Sequence, residues 1–202
     1  MKIVETYQLI ARGDFVYSDE WKNIQQTVYS AVRSVVWPPG ASDFKIFPES
    51  GKKRGEGNGV KPIKDPAMDY LKAHGWNHEK PWPAGDRVFN GNIDSVYKSS
   101  KGLVGFEWET GNISSSHRAL NKLCLGLLKE LTIGSFLVVP SRKLYPYLTD
   151  RIGNFEELEP YLDLWKSIPC KEGILELIVV EHDATSKDVP RIPKGTDGRH
   201  LF

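Results

Sequence analysis

The 202-residue sequence has only two cysteines, Cys124 and Cys170, almost no imbalance of charge and no long apolar run. The cysteines show neither CxxC spacing nor a nearby histidine pattern, so free buried thiols are expected in place of a disulfide or a zinc site. With 27 Lys and Arg against 26 Asp and Glu, bulk charge excludes a general polyanion binder, and any nucleic-acid site must come from local clustering. The N-terminal MKIVETYQLIARGD scatters charges through a short apolar stretch, unlike a signal peptide, and nothing later reaches a membrane-spanning length. A cytoplasmic chain with no membrane partner is expected. No internal repeat or compositionally disordered segment is present, and 40% hydrophobic and 11% aromatic content fits one domain over 1–202 with a substantial core.

Ser18, Asp19 and Glu20 start a helix in which Trp21, Ile24, Val28, Val32 and Val35 recur at three- and four-residue steps until Pro38 and Pro39. The stretch GKKRGEGNGVKPIK, 51–64, reads as a mobile basic loop, and Asp65 and Pro66 then open a short helix ended by Gly75. A hairpin is expected over 92–109, as NIDSVYK, a KSSKG turn and LVGFEWE. Ser114 to Ser116 cap a helix through Leu131, whose stripe Leu120, Leu123, Leu127 and Leu131 is widened by Leu125 and Leu128, leaving one side for a partner chain. After the strand IGSFLVVP come a helical SRKLYPYLTDR, a capping box at Asn154 and Glu157 opening NFEELEPYLDLW, and the strand GILELIVVEHD. This alternation predicts a single-domain α/β fold, a mixed central β-sheet flanked by helices, antiparallel at the hairpin and parallel at the crossovers.

Within the hairpin, Glu107 and Glu109 are two residues apart, which in an extended strand puts both carboxylates on one face and Phe106 and Trp108 on the other. Taken alone, such a pair is most simply the wet face of a half-buried strand. Asp94 on the adjacent strand changes that balance. Converging carboxylates without Cys or His suit a hard cation, and Mg²⁺ in particular is held by one or two carboxylates plus phosphate oxygens. Plainer roles exist for each residue: Asp94 could satisfy a backbone amide, Glu79 beside Lys80 could be a surface ion pair, and Asn112 and Ser114 are good helix caps.

An Asp followed on the neighbouring strand by Glu-x-Lys is the layout of PD-(D/E)xK nucleases, here with Glu109 in place of the lysine and NID without the preceding proline. FEWETGNISSSHRALNKLCLGL, GVKPIK, EKPW, IDSVYK, YLTDRIGNFEELEPY and VPRIPKGTDG are more specific. In these blocks, from about Trp37 to Gly198, the chain resembles the BamHI-type type II restriction endonucleases. The resemblance implies a PD-(D/E)xK restriction endonuclease-like fold and a homodimer that cuts double-stranded DNA at the palindrome GGATCC, after the first G, leaving 5′ overhangs. It implies that Asp94 and Glu107 bind Mg²⁺, with Mn²⁺ able to substitute, assisted by the main-chain oxygen of Trp108 and by Glu79. Glu109 would activate the attacking water or share a second metal.

An acceptor and a bidentate donor side by side, Asp150 and Arg151, suit cytosine N4 and guanine O6 and N7, although such a pair at a helix end is commonly just solvated. By resemblance they read the outer G·C pairs, helped by Lys64, Asn112, Ser114 and the loop of Gly195, Asp197 and Gly198, with Arg118 one turn beyond Ser114. Two departures stand out: Arg199 replaces an expected methionine, and the chain stops at Phe202 without an additional C-terminal helix. Arg199 and His200 are then expected to contact phosphate, making affinity steeply salt-dependent. The dimer seam is expected on the Ser114–Leu131 helix and the YPYLTDR helix, with Leu127→Glu giving monomers. A methyltransferase protecting the same bacterial host sequence is the expected companion. The rivals are a DNA-binding protein without catalysis, and a glycosidase using Asp94 and Glu109, against which the basic segments Lys52 to Arg54 and Arg191 to Lys194 argue.

Overall fold

Every residue of two apolar stretches, β6 (Gly134–Pro140) and β7 (Gly173–Glu181), is buried, the pattern of strands covered on both faces. In the computed structural model, which describes residues 1–53, 55–81, 92–109, 111–149 and 152–194, and only the backbone of 79–81, these strands form the centre of a six-stranded sheet. Around them lie β1 (Lys2–Arg12), β3 (Asn77–Pro81), β4 (Asn92–Lys98) and β5 (Leu103–Trp108), in the order β1-β7-β6-β5-β4-β3, while β2 (Lys45–Ile46) pairs separately with β8 (Ala184–Thr185). The pairs β5–β6 and β6–β7 are parallel, whereas β1–β7, β4–β5 and β3–β4 are antiparallel. That is the mixed sheet expected.

Helices α1 (Asp19–Arg33) and α2 (Lys61–Ala73) cover one face. Their Trp21, Ile24 and Leu71 pack with Phe106, Phe136 and Ile178, and Trp21 stacks on Phe136 with ring centroids 5.0 Å apart. The other face is closed by α3 (Ile113–Leu128), α4 (Phe155–Leu158) and α5 (Leu162–Lys166), where Leu120, Leu123 and Leu127 meet Leu137, Leu175 and Leu177. Both cysteines are free, Cys124 buried and Cys170 partly so. Among the described residues no helix is long and apolar enough to cross a membrane.

Several local expectations are corrected. Helix α2 starts at Lys61, four residues before Asp65, because Pro62 occupies the first turn, where its missing N–H costs nothing, and Pro66 is tolerated inside the helix. The cap of α3 is Asn112, whose side chain accepts from the Ser115 amide at 3.2 Å, and the helix ends at Leu128. Glu130 then takes a positive φ of 56°, so Leu131 lies past the end. The segment around YPY is a single 3-10 turn, Tyr145–Tyr147, and NFEELEPYLDLW breaks at Pro160 into α4, a 3-10 turn and α5. The capping box does form, with the Asn154 amide donating to Glu157 Oε2 at 3.2 Å.

Candidate active site

Strand register gathers the acids. His78 lies opposite Ser95 and Lys80 opposite Ile93, so Glu79 stands across from Asp94; Ser95 lies opposite Phe106, so the next step across β5 from Asp94 is Glu107. Three acidic positions therefore occupy one transverse row over β3, β4 and β5.

At that row the main-chain ladder between β4 and β5 gives way to side chains. Asp94 Oδ2 accepts the Trp108 amide at 2.9 Å, and Glu107 Oε2 accepts the Asp94 amide at 3.4 Å, so each carboxylate reaches across to the other strand's backbone. The amide role considered for Asp94 is thus real, and it leaves Oδ1 for another partner. That partner is Lys64 Nζ at 2.8 Å, from the first turn of α2. Glu107 Oε1 is paired with Lys122 of α3, which also donates to the Asn92 carbonyl at 3.0 Å. Glu107 is 8% exposed, and burial pushes its carboxyl up, to about 7; the Lys122 ammonium pulls the other way and the Asp94 carboxylate adds to the rise.

Glu109 lies one residue beyond β5, tied to β6 by its amide, which donates to the Val138 carbonyl at 3.0 Å. Its side chain turns back to accept the Gly111 amide at 2.9 Å. A Cβ on Gly111 would lie 2.7 Å from Ser115 Oγ and 3.1 Å from Glu109 Oε1, so the turn needs glycine for space. Because Glu109 reaches β6 through its amide, Trp108 directs its own amide and carbonyl toward β4, where Asp94 sits. The oxygen-only donor set of Asp94, Glu107 and the Trp108 carbonyl suits a hard cation. Among the described residues, however, no group of three or more His, Cys, Asp or Glu side chains is placed to hold a metal.

Among the described residues, Asn112, Ser114 and Arg118 of the expected DNA-reading set share one connected frame. Ser114 and Arg118 are exposed, one turn apart on α3, with Asn112 at its cap. Asn112 bridges Ile152, and the Gly153 amide donates to the Gly111 carbonyl at 3.0 Å, so the segment carrying Glu109 and Asn112 is fastened beside the one that follows Arg151. Asp150, Arg151, Gly195, Asp197, Gly198 and Arg199 themselves, with Arg54 and His200, lie outside the described residues, as does the side chain of Glu79. Lys64, expected at DNA, is paired with Asp94.

Sequence reading missed two residues here. One is Lys122. The other is Asn58, fully buried, whose Nδ2 donates to the carbonyls of Phe47 at 2.8 Å and Tyr147 at 2.9 Å while Oδ1 accepts the Ile192 amide at 3.1 Å. Its backbone also donates to Tyr147 and accepts from Thr149. Asn58 thereby joins the 51–64 segment to the chain entering Asp150 and to the chain entering Gly195, so this part of the expected mobile loop is anchored.

The family model for restriction endonuclease BamHI matches residues 1–199. The chain belongs to the BamHI family of type II restriction endonucleases. It is 44% identical over 178 residues to the type II restriction enzyme OkrAI of Oceanobacter kriegii, covering 88% of this chain and 89% of that one. To the type II restriction enzyme BamHI of Bacillus amyloliquefaciens it is 39% identical over 188 residues, covering 88% and 84%. The crystal structure of restriction endonuclease BglII complexed with a DNA 16-mer superimposes with a TM-score of 0.62 over 95% of this chain and 88% of that chain, at 12% identity. That likeness shows the fold, which is the restriction endonuclease fold expected. For this BamHI-family chain, the acid row and the Asn58 frame are the features on which a site can be built.

Proposed function

We propose that this BamHI-family endonuclease hydrolyses double-stranded DNA at GGATCC, after the first G of each strand, in a reaction that depends on Mg²⁺ and accepts Mn²⁺. The observation that carries the reading is the row of Glu79, Asp94 and Glu107 across three strands, with Glu109 at the next turn. Asp94, Glu107, the Trp108 carbonyl and Glu79 are the groups that would hold the cation. When bound, it would stabilise negative charge gathering on the phosphate and make water easier to deprotonate. Glu109, fixed by the Gly111 amide, takes the proton as the water oxygen bonds to phosphorus and the bond to the leaving oxygen breaks.

Sequence is read by Asp150 and Arg151 on the outer G·C pairs, with Asn112, Ser114, Lys64 and the Gly195, Asp197 and Gly198 loop assisting; Arg118 and Arg199 act on the backbone. A palindrome calls for a two-fold homodimer. Leu128, 44% exposed on the solvent side of α3, supports a partner there. In a bacterial cytoplasm the matching partner activity is a methyltransferase that shields the same sequence.

The test is incubation of a plasmid bearing one GGATCC site with purified protein in Mg²⁺, in EDTA, and with Asp94→Asn. Linear product in Mg²⁺ alone, with gel-shift binding kept by Asp94→Asn, is the expected outcome. Binding without cutting under every condition would instead mark a DNA-binding protein that lacks catalysis.

A further inference from the structure

Each of the two interlocked carboxylates has one oxygen committed to a backbone amide of the neighbouring strand and the other committed to a lysine: Glu107 Oε1 to Lys122 and Asp94 Oδ1 to Lys64 at 2.8 Å. The lysines come from opposite faces of the sheet, Lys122 from α3 and Lys64 from α2. Neither is a solvated surface pair, since the side chains of Lys122 and Glu107 are 16% and 11% exposed and those of Lys64 and Asp94 are 22% and 21% exposed. Two ammonium groups thus balance two carboxylates where the metal-dependent reading puts a divalent cation. The oxygens not held by amides, the ones such a cation would take, are the ones the lysines occupy.

We infer that Lys122 and Lys64 are stand-in cations, positioning residues that keep Glu107 and Asp94 in place before metal arrives and that must leave them for it to bind. This rests on the metal-dependent reading above and adds to it an exchange of cations at a preformed acid pair. Two positive groups drawn to one carboxylate oxygen in a partly buried site repel each other, so lysine and metal oppose each other there. The lysine on Glu107 stands at the third step of a stripe, Ser114, Arg118, Lys122, spaced four residues apart along α3. It therefore lies on the helix face expected to meet DNA.

The opposition fixes a direction that an ordinary stabilising ion pair does not. Removing a competing charge tightens metal binding, and the coupling between two sites is commonly about 5- to 150-fold. The experiment is Mn²⁺ titration of the DNA-free protein, followed by the paramagnetic signal of free Mn²⁺, for wild type, Lys122→Met, Lys64→Met and Glu107→Gln. Expected are a gain in Mn²⁺ affinity of about tenfold or more in each lysine variant and loss of the site in Glu107→Gln. If Lys122→Met does not fold, Lys122→Gln keeps a donor to the Asn92 carbonyl without the charge and carries the same expectation. In unmutated protein, ¹⁵N-resolved ammonium resonances of Lys122 and Lys64 should shift on adding Mg²⁺.

Unchanged or weaker Mn²⁺ binding in the lysine variants would overturn the inference, as would ammonium signals indifferent to Mg²⁺. Failure of the underlying reading shows separately. It would appear as wild type that does not cut the GGATCC plasmid in Mg²⁺, whatever the lysine variants bind.

Discussion

Replacing Asn58 with alanine removes three hydrogen bonds at a site with no access to solvent, and the neighbours decide the cost. The Phe47 carbonyl still accepts from the Glu49 amide at 2.8 Å, and the Tyr147 carbonyl still accepts from the Asn58 amide at 2.8 Å. Each of those losses is then one ordinary bond, about 1 kcal/mol. The Ile192 amide is different: its residue is fully buried and its acceptor is gone, a penalty of roughly 1–3 kcal/mol. Asn58→Ala should therefore lose about 4 kcal/mol, which in a chain of this size lowers Tm by roughly 8–16 °C. Asn58→Asp keeps the acceptor for Ile192 but aims a carboxylate at two carbonyls, so it should be the less stable of the two. Urea unfolding of both variants measures this. A loss below about 1 kcal/mol in the alanine variant, or an aspartate variant as stable as wild type, would refute the assignment of Asn58 as the joint between the three segments.

Other perturbations separate core from site. Leu127 is fully buried and Leu128 is 44% exposed, so Leu127→Glu should unfold the chain, at a cost of roughly 3 kcal/mol or more, and is not the clean monomer-maker the helix pattern suggested. Leu128→Glu should fold normally and, if α3 meets a partner, lower the mass in sedimentation; an unchanged dimer would place the seam elsewhere. Gly111→Ala should push Glu109 from its seat and cut turnover by up to about 100-fold with DNA affinity kept; full activity would contradict the role given to that turn. Burial raises the Glu176 carboxyl above its ordinary 4.5, against hydrogen bonds from Tyr29 and Gln25. Its contribution to stability is then fully present below the unfolded value and lost as pH rises through the folded one. Glu176→Gln should accordingly flatten stability against pH above about 4.5, and urea titrations across that range showing an unaltered slope would contradict the shift.

The parts legible in the sequence are those where burial follows one simple period. Strands β6 and β7 are mostly apolar and buried throughout, α1 repeats at three and four residues, and the β4–β5 hairpin is punctuated by its polar turn. By contrast β1 hides. It runs along the sheet edge mostly exposed, and register irregularities between Ile3 and Glu5 and between Gln8 and Ile10 break its alternation, so that Leu9 and Ile10 are both buried. Strand β3 is NHEKP, whose one apolar residue is a proline that does not signal a strand, although it carries Glu79 into the acid row. Asp94 and Glu107 could be paired from the hairpin because register brings them together. Lys122 and Asn58 could not, since their partners are up to 30 and up to 134 residues away in sequence and depend on how α3 and the loops dock. The family blocks supplied the site residues that no local pattern reaches.

The most direct test of the central claim is to sequence both ends of DNA cut by this protein in Mg²⁺, alongside EDTA and Glu109→Ala controls. The account predicts breaks confined to GGATCC, after the first G on each strand with 5′ overhangs, and intact DNA in both controls. Breaks at another sequence would contradict the assigned readers, and cutting that survives EDTA or the loss of Glu109 would contradict the carboxylate mechanism.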